Sequence, residues 1–380
     1  MRVVISGYVG KKKTGVGRTL ENILFNFPLK KNDEIYLYCN YDFQDFDLKK
    51  IPLQIIVHRY KVSKNSPILN LLWHQIIYPF KTLFIDADVS YISNATLLLL
   101  KFRPTVVVIH DLIEFNVPKK FSWLRMFYRK FAFPVTAKRA DKIITVSENS
   151  KSDIIKYCKV PPNKINVIYN GVDKNFFSPR RELTAEIKRE YRLPDKYILF
   201  VGTIDHPGKN VYSLILACRK LWEENIGIKL VLIGQKGVGY EVISDTITRY
   251  DLNKYVLHLD CVEDRDLAAI YNGAELFCFL SLYEGFGLPL IESMACGTPV
   301  IASKMSSLPE VVGDAGIIVN PCSIDEISRK IKDVLTNDVL KNKLRRKGLE
   351  RAKLFSWQKA AYGTYRVLEE VSRQYHKREG

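Results

Sequence analysis

Several things are missing from this 380-residue chain, and each absence removes a class of function. No apolar run approaches the roughly 20 residues that a bilayer-spanning helix requires, which excludes a helical membrane span. The seven cysteines are odd in number, scattered, and include no Cys-x-x-Cys pair. That argues against a disulfide framework and against a structural zinc site, and it fits a reducing cytoplasm. The opening Met1-Arg-Val-Val-Ile-Ser-Gly7 reads as a strand running into a glycine loop, without the apolar core and cleavage site of a secretory signal. Acidic residues are scarce in one half. Residues 1–173 carry 27 Lys+Arg against 14 Asp+Glu, so +13 of the total +17 lies there and only +4 in the remainder. A basic face of that kind suits nucleic acid, an acidic polymer or an anionic membrane surface. Helix-turn-helix, zinc-finger and RNA-binding signatures are all lacking, so nucleic acid is not expected as a partner.

The length exceeds what one core usually serves, and the pattern of apolar strands alternating with helical stretches runs through the chain twice. In the first pass the strands fall at 2–6, 35–39, 54–57, 89–92, 105–109 and 142–146. The glycine-rich loop 7–17 precedes a helix over 18–25, and an apolar helix covers 68–80. Gly15 and Gly17 place bare backbone at a helix start, where N–H groups attract anions. Residues 105–109 form a buried-type strand that delivers His110 and Asp111 at its carboxyl end, where ligands bind in open α/β sheets. Basic residues and aromatics interleave over 119–142 (Trp123, Phe127, Tyr128, Phe131, Phe133). The reading adopted is a helix with its aromatics in the core and its charges in water; a helix lying on a membrane is the alternative. Asp86-Ala-Asp88 matches an Asp-x-Asp metal motif, but a helix end and strand start explain it better.

Charges with Pro179 and Pro194 mark 174–195 as a linker. The second pass then begins: strand 197–201, loop 202–210 with Thr203 and Lys209, strand 230–233, loop 234–239, strand 256–259 followed by Val262, and helix 265–272. Lys209, near a helix start, suits a phosphate-binding cation. The densest chemistry lies in Ser281 to Ala302, where Glu284 and Glu292 sit eight positions apart. Glu284 stands beside Gly285-Phe286-Gly287, and Leu288-Pro289 opens a helix containing Glu292. The unit is strand, loop, helix, strand: an anion-binding loop with carboxylates suited to sugar hydroxyls. Two doubly wound α/β domains with a cleft between them follow from the two passes.

Separated stretches agree on one family. Gly15-Val-Gly-Arg18, Leu71-Leu-Trp-His-Gln75, Ile109-His-Asp-Leu112, Ala140-Asp-Lys-Ile-Ile-Thr-Val-Ser147, Asn170-Gly-Val-Asp173, Val201-Gly-Thr203 with Lys209-Asn210, Glu284 through Glu292, Ser306-Ser-Leu-Pro-Glu-Val311 and Phe355-Ser-Trp357 together resemble a retaining glycosyltransferase of family 4. The resemblance implies the GT-B fold: two Rossmann-like domains over 1–173 (acceptor side) and 196–356 (nucleotide-sugar side), with a last helix in 357–380 crossing back to the first. It implies sugar transfer from a nucleotide sugar with retained configuration, without a cofactor or an obligatory metal. By position, Glu284 would contact the donor sugar and Glu292 the ribose. Phe286, Gly287 and Leu288 with Lys209 would hold the diphosphate, with Thr203 and Val262 nearby and Gly15 and Gly17 meeting it from the other domain. His110 would line the reacting centre, and Asp111 and Arg18 would face the acceptor. Many relatives carry an arginine just before the lysine, whereas this chain has Gly208; Arg18 or Lys11 to Lys13 are candidate substitutes.

The Gly-Val-Gly-Arg and His-Asp-Leu pattern resembles mannosyltransferases, so GDP-mannose is the first donor expected, with UDP- and dTDP-sugars as alternatives. The expected setting is surface-polysaccharide assembly on a lipid-linked or saccharide acceptor, in the cytoplasm and peripheral to the inner face of the membrane. Competing readings are a metal-dependent transferase built on Asp86 and Asp88, a GT-B epimerase or phosphorylase, and a non-catalytic protein that binds polyanions or membrane.

Overall fold

Strands of mostly β-branched and aromatic residues, most of them buried and most followed by a helix, make two parallel sheets in the computed structural model, which describes residues 1–7, 15–40, 51–52, 54–60, 71–117, 122–179 and 182–379. In the first sheet β1 (Arg2–Ser6), β2 (Glu34–Asn40), β3 (Ile55–Tyr60), β4 (Val89–Ile92), β5 (Thr105–Val108), β6 (Lys142–Thr145) and β7 (Ile165–Val167) lie in the order β3-β2-β1-β4-β5-β6-β7. In the second, β8 (Tyr197–Val201), β9 (Lys229–Ile233), β10 (Val256–Leu259), β11 (Leu276–Phe279), β12 (Val300–Ser303) and β13 (Ile317–Val319) lie in the order β10-β9-β8-β11-β12-β13. Every pairing is parallel. Parallel strands covered by helices on both faces need near-continuous apolar sequence, which is why these runs do not alternate. Both sheets are doubly wound, and each has one point where the strand order reverses: between β1 and β4, and between β8 and β11. Outside the strand ends at such a point, the flanking loops part and leave a crevice.

The chain divides into two compact units. One comprises Met1–Phe115, Phe121–Gly171 and Trp357–Gly380; the other comprises Asn116–Lys120 and Val172–Ser356. Helix Trp357–Glu379 belongs to the first unit, where Glu369 pairs with Lys30 at 2.5 Å and Tyr365 donates to Asp33 at 2.7 Å. Residues 174–195, linker-like in their charge and prolines, belong to the second unit: Phe177 and Leu193 are buried, and Ala185–Glu190 is helical.

Some boundaries differ from expectation. The helix expected to start at 18 begins at Gly15, so Gly15 and Gly17 lie in its first turn. The expected 68–80 helix has a π-helical stretch, Trp73–Ile77, and continues as Tyr78–Phe84; residues 61–70 lie outside those described. Helix Tyr240–Arg249 separates loop 234–239 from β10. The basic helix Trp123–Arg139 buries only Ala132, Phe133, Thr136 and Ala137. Trp123, Phe127, Tyr128 and Phe131 are exposed, because the inward stripe passes through the small residues of the helix's second half.

The C-terminal ends of β8 and β9 meet closely. Gly234 has φ +145°, and a Cβ there would lie 2.0 Å from the Gly202 carbonyl oxygen. Gly234→Ala is therefore expected to destabilise the second unit by about 3 kcal/mol or more, through strain and overpacking together. Gly227→Ala, with nothing within 4 Å of the added carbon, should change stability by less than about 1 kcal/mol. Urea unfolding of the two variants checks the contrast.

Candidate functional site

In the second unit the reversal point is furnished by two loops. The loop after β8 is stitched to the loop after β9 by backbone bonds: Ile204 N–H to Gln235 O at 2.9 Å, Gly237 N–H to Ile204 O at 2.8 Å and His206 N–H to Val238 O at 2.9 Å. Buried Asp205 then accepts the Lys209 N–H at 2.7 Å. Asn210, in the left-handed region at φ +55°, donates to Pro321 O at 2.7 Å and accepts from Ser213 at 2.7 Å, which starts helix Val211–Glu223. Lys209 thus precedes its helix by two residues.

The loop after β11 is tied to the first loop by Leu282 N–H to Gly208 O at 2.9 Å. The Glu284 N–H donates to Ser306 Oγ at 2.8 Å, and the buried Ser307 hydroxyl lies 3.0 and 3.1 Å from the carbonyl oxygens of Glu284 and Phe286. Gly287, at φ +102°, caps helix Leu288–Ala295. Pro289 lacks an N–H, and the Leu288 amide is among those that a helix start leaves without an intrahelical acceptor. Across the reversal point, Lys209 Nζ meets Glu284 Oε1 at 2.5 Å, both side chains mostly buried (23% and 15% exposed), and the ammonium sits 5.3 Å from the Phe279 ring centroid. Thr203 is exposed on the same loop as Lys209, and half-buried Val262 follows β10. Phe286 is buried with its ring edge-to-face on Phe355. Glu292 lies elsewhere in character: it is 5% exposed and accepts from the Tyr271 hydroxyl at 3.2 Å.

The first unit repeats the logic. Ser93, just after β4, donates from its hydroxyl to Ser6 O at 2.7 Å, and His110 Nε2 lies 3.1 Å from Ser93 O. A carbonyl only accepts, so Nε2 carries the proton and Nδ1 the lone pair. The Ser6 hydroxyl pairs with buried His74 Nε2 at 3.0 Å, so three strand ends (β1, β4, β5) are joined at their carboxyl edge. The His110 carbonyl oxygen accepts from Ser150 Oγ at 3.1 Å. Asp111 accepts the Ile113 N–H at 3.1 Å, which turns the chain into the short helix Ile113–Asn116. Gly15 is exposed and Gly17 buried in the first turn after β1, with half-buried Arg18 beside them; Lys11 to Lys13 lie outside the described residues. Burial pushes the His110 imidazole below the usual histidine range, opposed by its bond to Ser93 and the charge of Asp111.

Asp86 and Asp88 are occupied otherwise. Asp86 pairs with Arg103 and Arg2, while Asp88 accepts the Arg2 N–H at 2.6 Å and meets His376 at 3.0 Å. Both precede β4, at the sheet edge opposite His110, and among the described residues no cluster of three or more His, Cys, Asp or Glu could hold a metal ion.

Residues 184–352 match the family described as "Glycosyl transferases group 1", and residues 15–176 match "Glycosyltransferase Family 4". O-antigen chain mannosyltransferase B of Escherichia coli is 32% identical over 273 residues, covering 70% of this chain and 71% of that protein. The chain belongs to glycosyltransferase family 4. The MMP alpha-(1->4)-mannosyltransferase of Mycolicibacterium hassiacum is 32% identical, covering 70% of this chain and 66% of that protein. In fold, this glycosyltransferase is similar to Anabaena Alr3699/HepE in complex with UDP and glucose, with TM-score 0.73, 19% identity and coverage of 97% of this chain and 99% of that one. The fold is GT-B, with two Rossmann-like α/β domains.

Sequence reasoning did not assign the groups that hold the candidate residues in place, although Ser306 and Ser307 stand in one of the motifs that carry the resemblance. Asp205, Ser306, Ser307 and Ser93 are ordinary polar residues whose partners lie up to 87 positions away. Nor did it find Glu114, which is buried with its Oε1 3.1 Å from Arg129 Nη1, close enough for an ion pair but not aligned as a hydrogen bond. Burial pushes the Glu114 carboxyl up, and Arg129 opposes this. Its only local signal was a glutamate three places after His-Asp. Two further polar atoms at the second reversal point, His206 Nδ1 and Ser281 Oγ, are buried without a hydrogen-bond partner, a mark of a place where ligand or water completes the bonding.

The lowered His110 value has a definite sign. A histidine whose folded-state pKa lies below the unfolded one stabilises the fold above the unfolded value of about 6.5, and that contribution disappears as pH falls through the folded value. Among the imidazole signals in an NMR titration, one is expected to titrate below the ordinary range and to vanish in His110→Gln; an ordinary midpoint for that signal would contradict the geometry described.

Proposed function

We propose that this glycosyltransferase is a retaining mannosyltransferase that moves mannose from GDP-mannose to a lipid-linked or saccharide acceptor in surface-polysaccharide assembly, without an obligatory metal, in the cytoplasm at the inner face of a membrane. The observation that carries the donor half is the Lys209–Glu284 pair at the reversal point of the second sheet. An ammonium and a carboxylate held together there offer one group to a diphosphate and one to sugar hydroxyls. The relatives named as mannosyltransferases support the sugar.

On this reading the diphosphate settles against Lys209 and the helix start at Gly287 and Leu288, with Thr203 and Val262 lining the nucleotide side. Lys209 then exchanges part of its contact with Glu284 for phosphate oxygens, and the freed carboxylate accepts from the sugar. Glu292 is nearly enclosed, so a ribose contact uses whatever edge it leaves open. In the first unit Gly15, Gly17, Arg18 and Asp111 serve the diphosphate and acceptor side. The bond between sugar C1 and the phosphate oxygen breaks, the bond between C1 and the acceptor oxygen forms on the same face, and the acceptor proton passes to the departing phosphate. In the first unit, His110 is held neutral with its ring lone pair on Nδ1, an uncharged acceptor suited to a developing positive charge.

Thermal-shift measurements across nucleotide sugars test the donor. GDP-mannose at 100 times its dissociation constant should add roughly 2.7 kcal/mol. A larger response to a UDP- or dTDP-sugar would replace the donor, and no response to any nucleotide would overturn the reading. Glu284→Ala and Lys209→Ala should each lower kcat/KM at least about 100-fold, or roughly 2.7 kcal/mol of transition-state stabilisation. The anomeric configuration of the product and activity in the presence of a chelator check retention and metal independence.

A further inference from the structure

The first unit presents an apolar surface that its own core does not use. In helix Trp123–Arg139, Trp123 and Phe127 are 74% and 71% exposed and Phe131 is exposed as well; spaced four apart, they form one stripe. A second stripe runs along residues 72–84, through Leu72, Ile76, Phe80 and Phe84, the last 80% exposed. The segment between β4 and β5 joins them. Thr136 donates to Thr96 O at 2.7 Å, Leu99 N–H donates to Gln75 at 2.9 Å, and Phe102 packs on Phe80 with ring centroids 5.1 Å apart. Leu99 and Phe102 are themselves exposed, so all three elements carry exposed apolar residues.

Its charge is mostly positive; Asp86, two places after Phe84, is exposed but paired with Arg2 and Arg103. Residues 71–85, 89–110 and 122–140 contain no Asp or Glu, while Lys81, Arg125, Lys130, Lys138 and Arg139 are exposed on them. Monomeric proteins rarely leave such a patch bare. A protein partner would need a matching concavity, whereas an anionic bilayer supplies phosphates for the cations and an apolar layer for the rings with no shape requirement. We propose that this face docks on an anionic lipid bilayer, with Trp123, Phe127, Phe131, Phe80 and Phe84 entering below the headgroups and the flanking Lys and Arg on lipid phosphates. It deepens the membrane location proposed above, and it rests on that reading only for the acceptor that would be met there.

Four tryptophans make the test specific, because Trp73, Trp222 and Trp357 are buried and Trp123 alone is exposed. The full chain is titrated with vesicles of phosphatidylcholine and phosphatidylglycerol. The expected results are co-sedimentation, a blue shift of tryptophan emission that Trp123→Phe removes, and weaker binding to phosphatidylcholine alone. Phe127→Glu combined with Phe131→Glu should lower partitioning at least about tenfold, while Val339→Glu, at a position 81% exposed on the second unit, should leave it unchanged. Matched melting curves establish that the variants fold. Unshifted emission, or wild-type binding by the double variant, overturns the proposal. So does concentration-dependent dimerisation with Trp123 shielded before any lipid is added, since a second copy would then cover this face. Transfer to a soluble saccharide acceptor separates the two readings: the double variant should keep it, and Glu284→Ala should lose it while still binding vesicles.

Discussion

The loops of the second unit hold an ammonium and a carboxylate together at a place where neither can be fully hydrated. Taking two charges largely out of water costs several kcal/mol each, and their attraction offsets this only when the geometry is fixed from outside. Here it is fixed on both sides. Asp205 and Asn210 set the backbone at Lys209, while Ser306 and Ser307 set it at Glu284. Leu282 bonding to Gly208 keeps the two loops in register. The consequence for ligand binding is direct. On the proposed reading, a pair already desolvated and positioned exchanges partners with a diphosphate and a sugar at little further cost in ordering.

The close contact of Gly202 and Gly234 serves the same end from below. A Cβ at Gly234 would lie 2.0 Å from the Gly202 carbonyl oxygen, so the glycine at φ +145° lets the two strand ends meet backbone to backbone. In the first unit a hydrogen-bonded series performs the comparable task. His74, Ser6, Ser93 and His110 link three neighbouring strand ends, and the link selects which His110 nitrogen carries the proton. At Gly208, where many relatives carry an arginine, the backbone carbonyl accepts the Leu282 N–H.

Legibility in the sequence followed the range of the forces involved. Parallel strands such as 105–108 and 197–201 were readable because burial on both faces demands unbroken apolar runs. Lys209, Glu284 and His110 were picked out as candidates because each lies in the loop that follows such a run, where doubly wound sheets place their ligands. Helix 123–139 was misread. Its composition allows two inward faces, and only packing shows that the stripe through Ala132, Thr136 and Ala137 is the buried one while Trp123 and Phe127 face out. Helix Tyr240–Arg249 was missed in a stretch of polar and β-branched residues, where propensity is weak and the strand ends on either side decide the matter.

From its sequence alone, two doubly wound α/β units were determined, since buried periodicity is a local property of the chain, and its motifs resembled those of glycosyltransferase family 4. Tertiary structure decided which charges meet and which aromatics stay in water. Lys209 and Glu284 are 75 positions apart, and Ser6 and Ser93 are 87 apart. Such distances close only when strand order sets β8 beside β11 and β1 beside β4, and strand order is fixed by how the whole sheet buries its faces, not by any single segment.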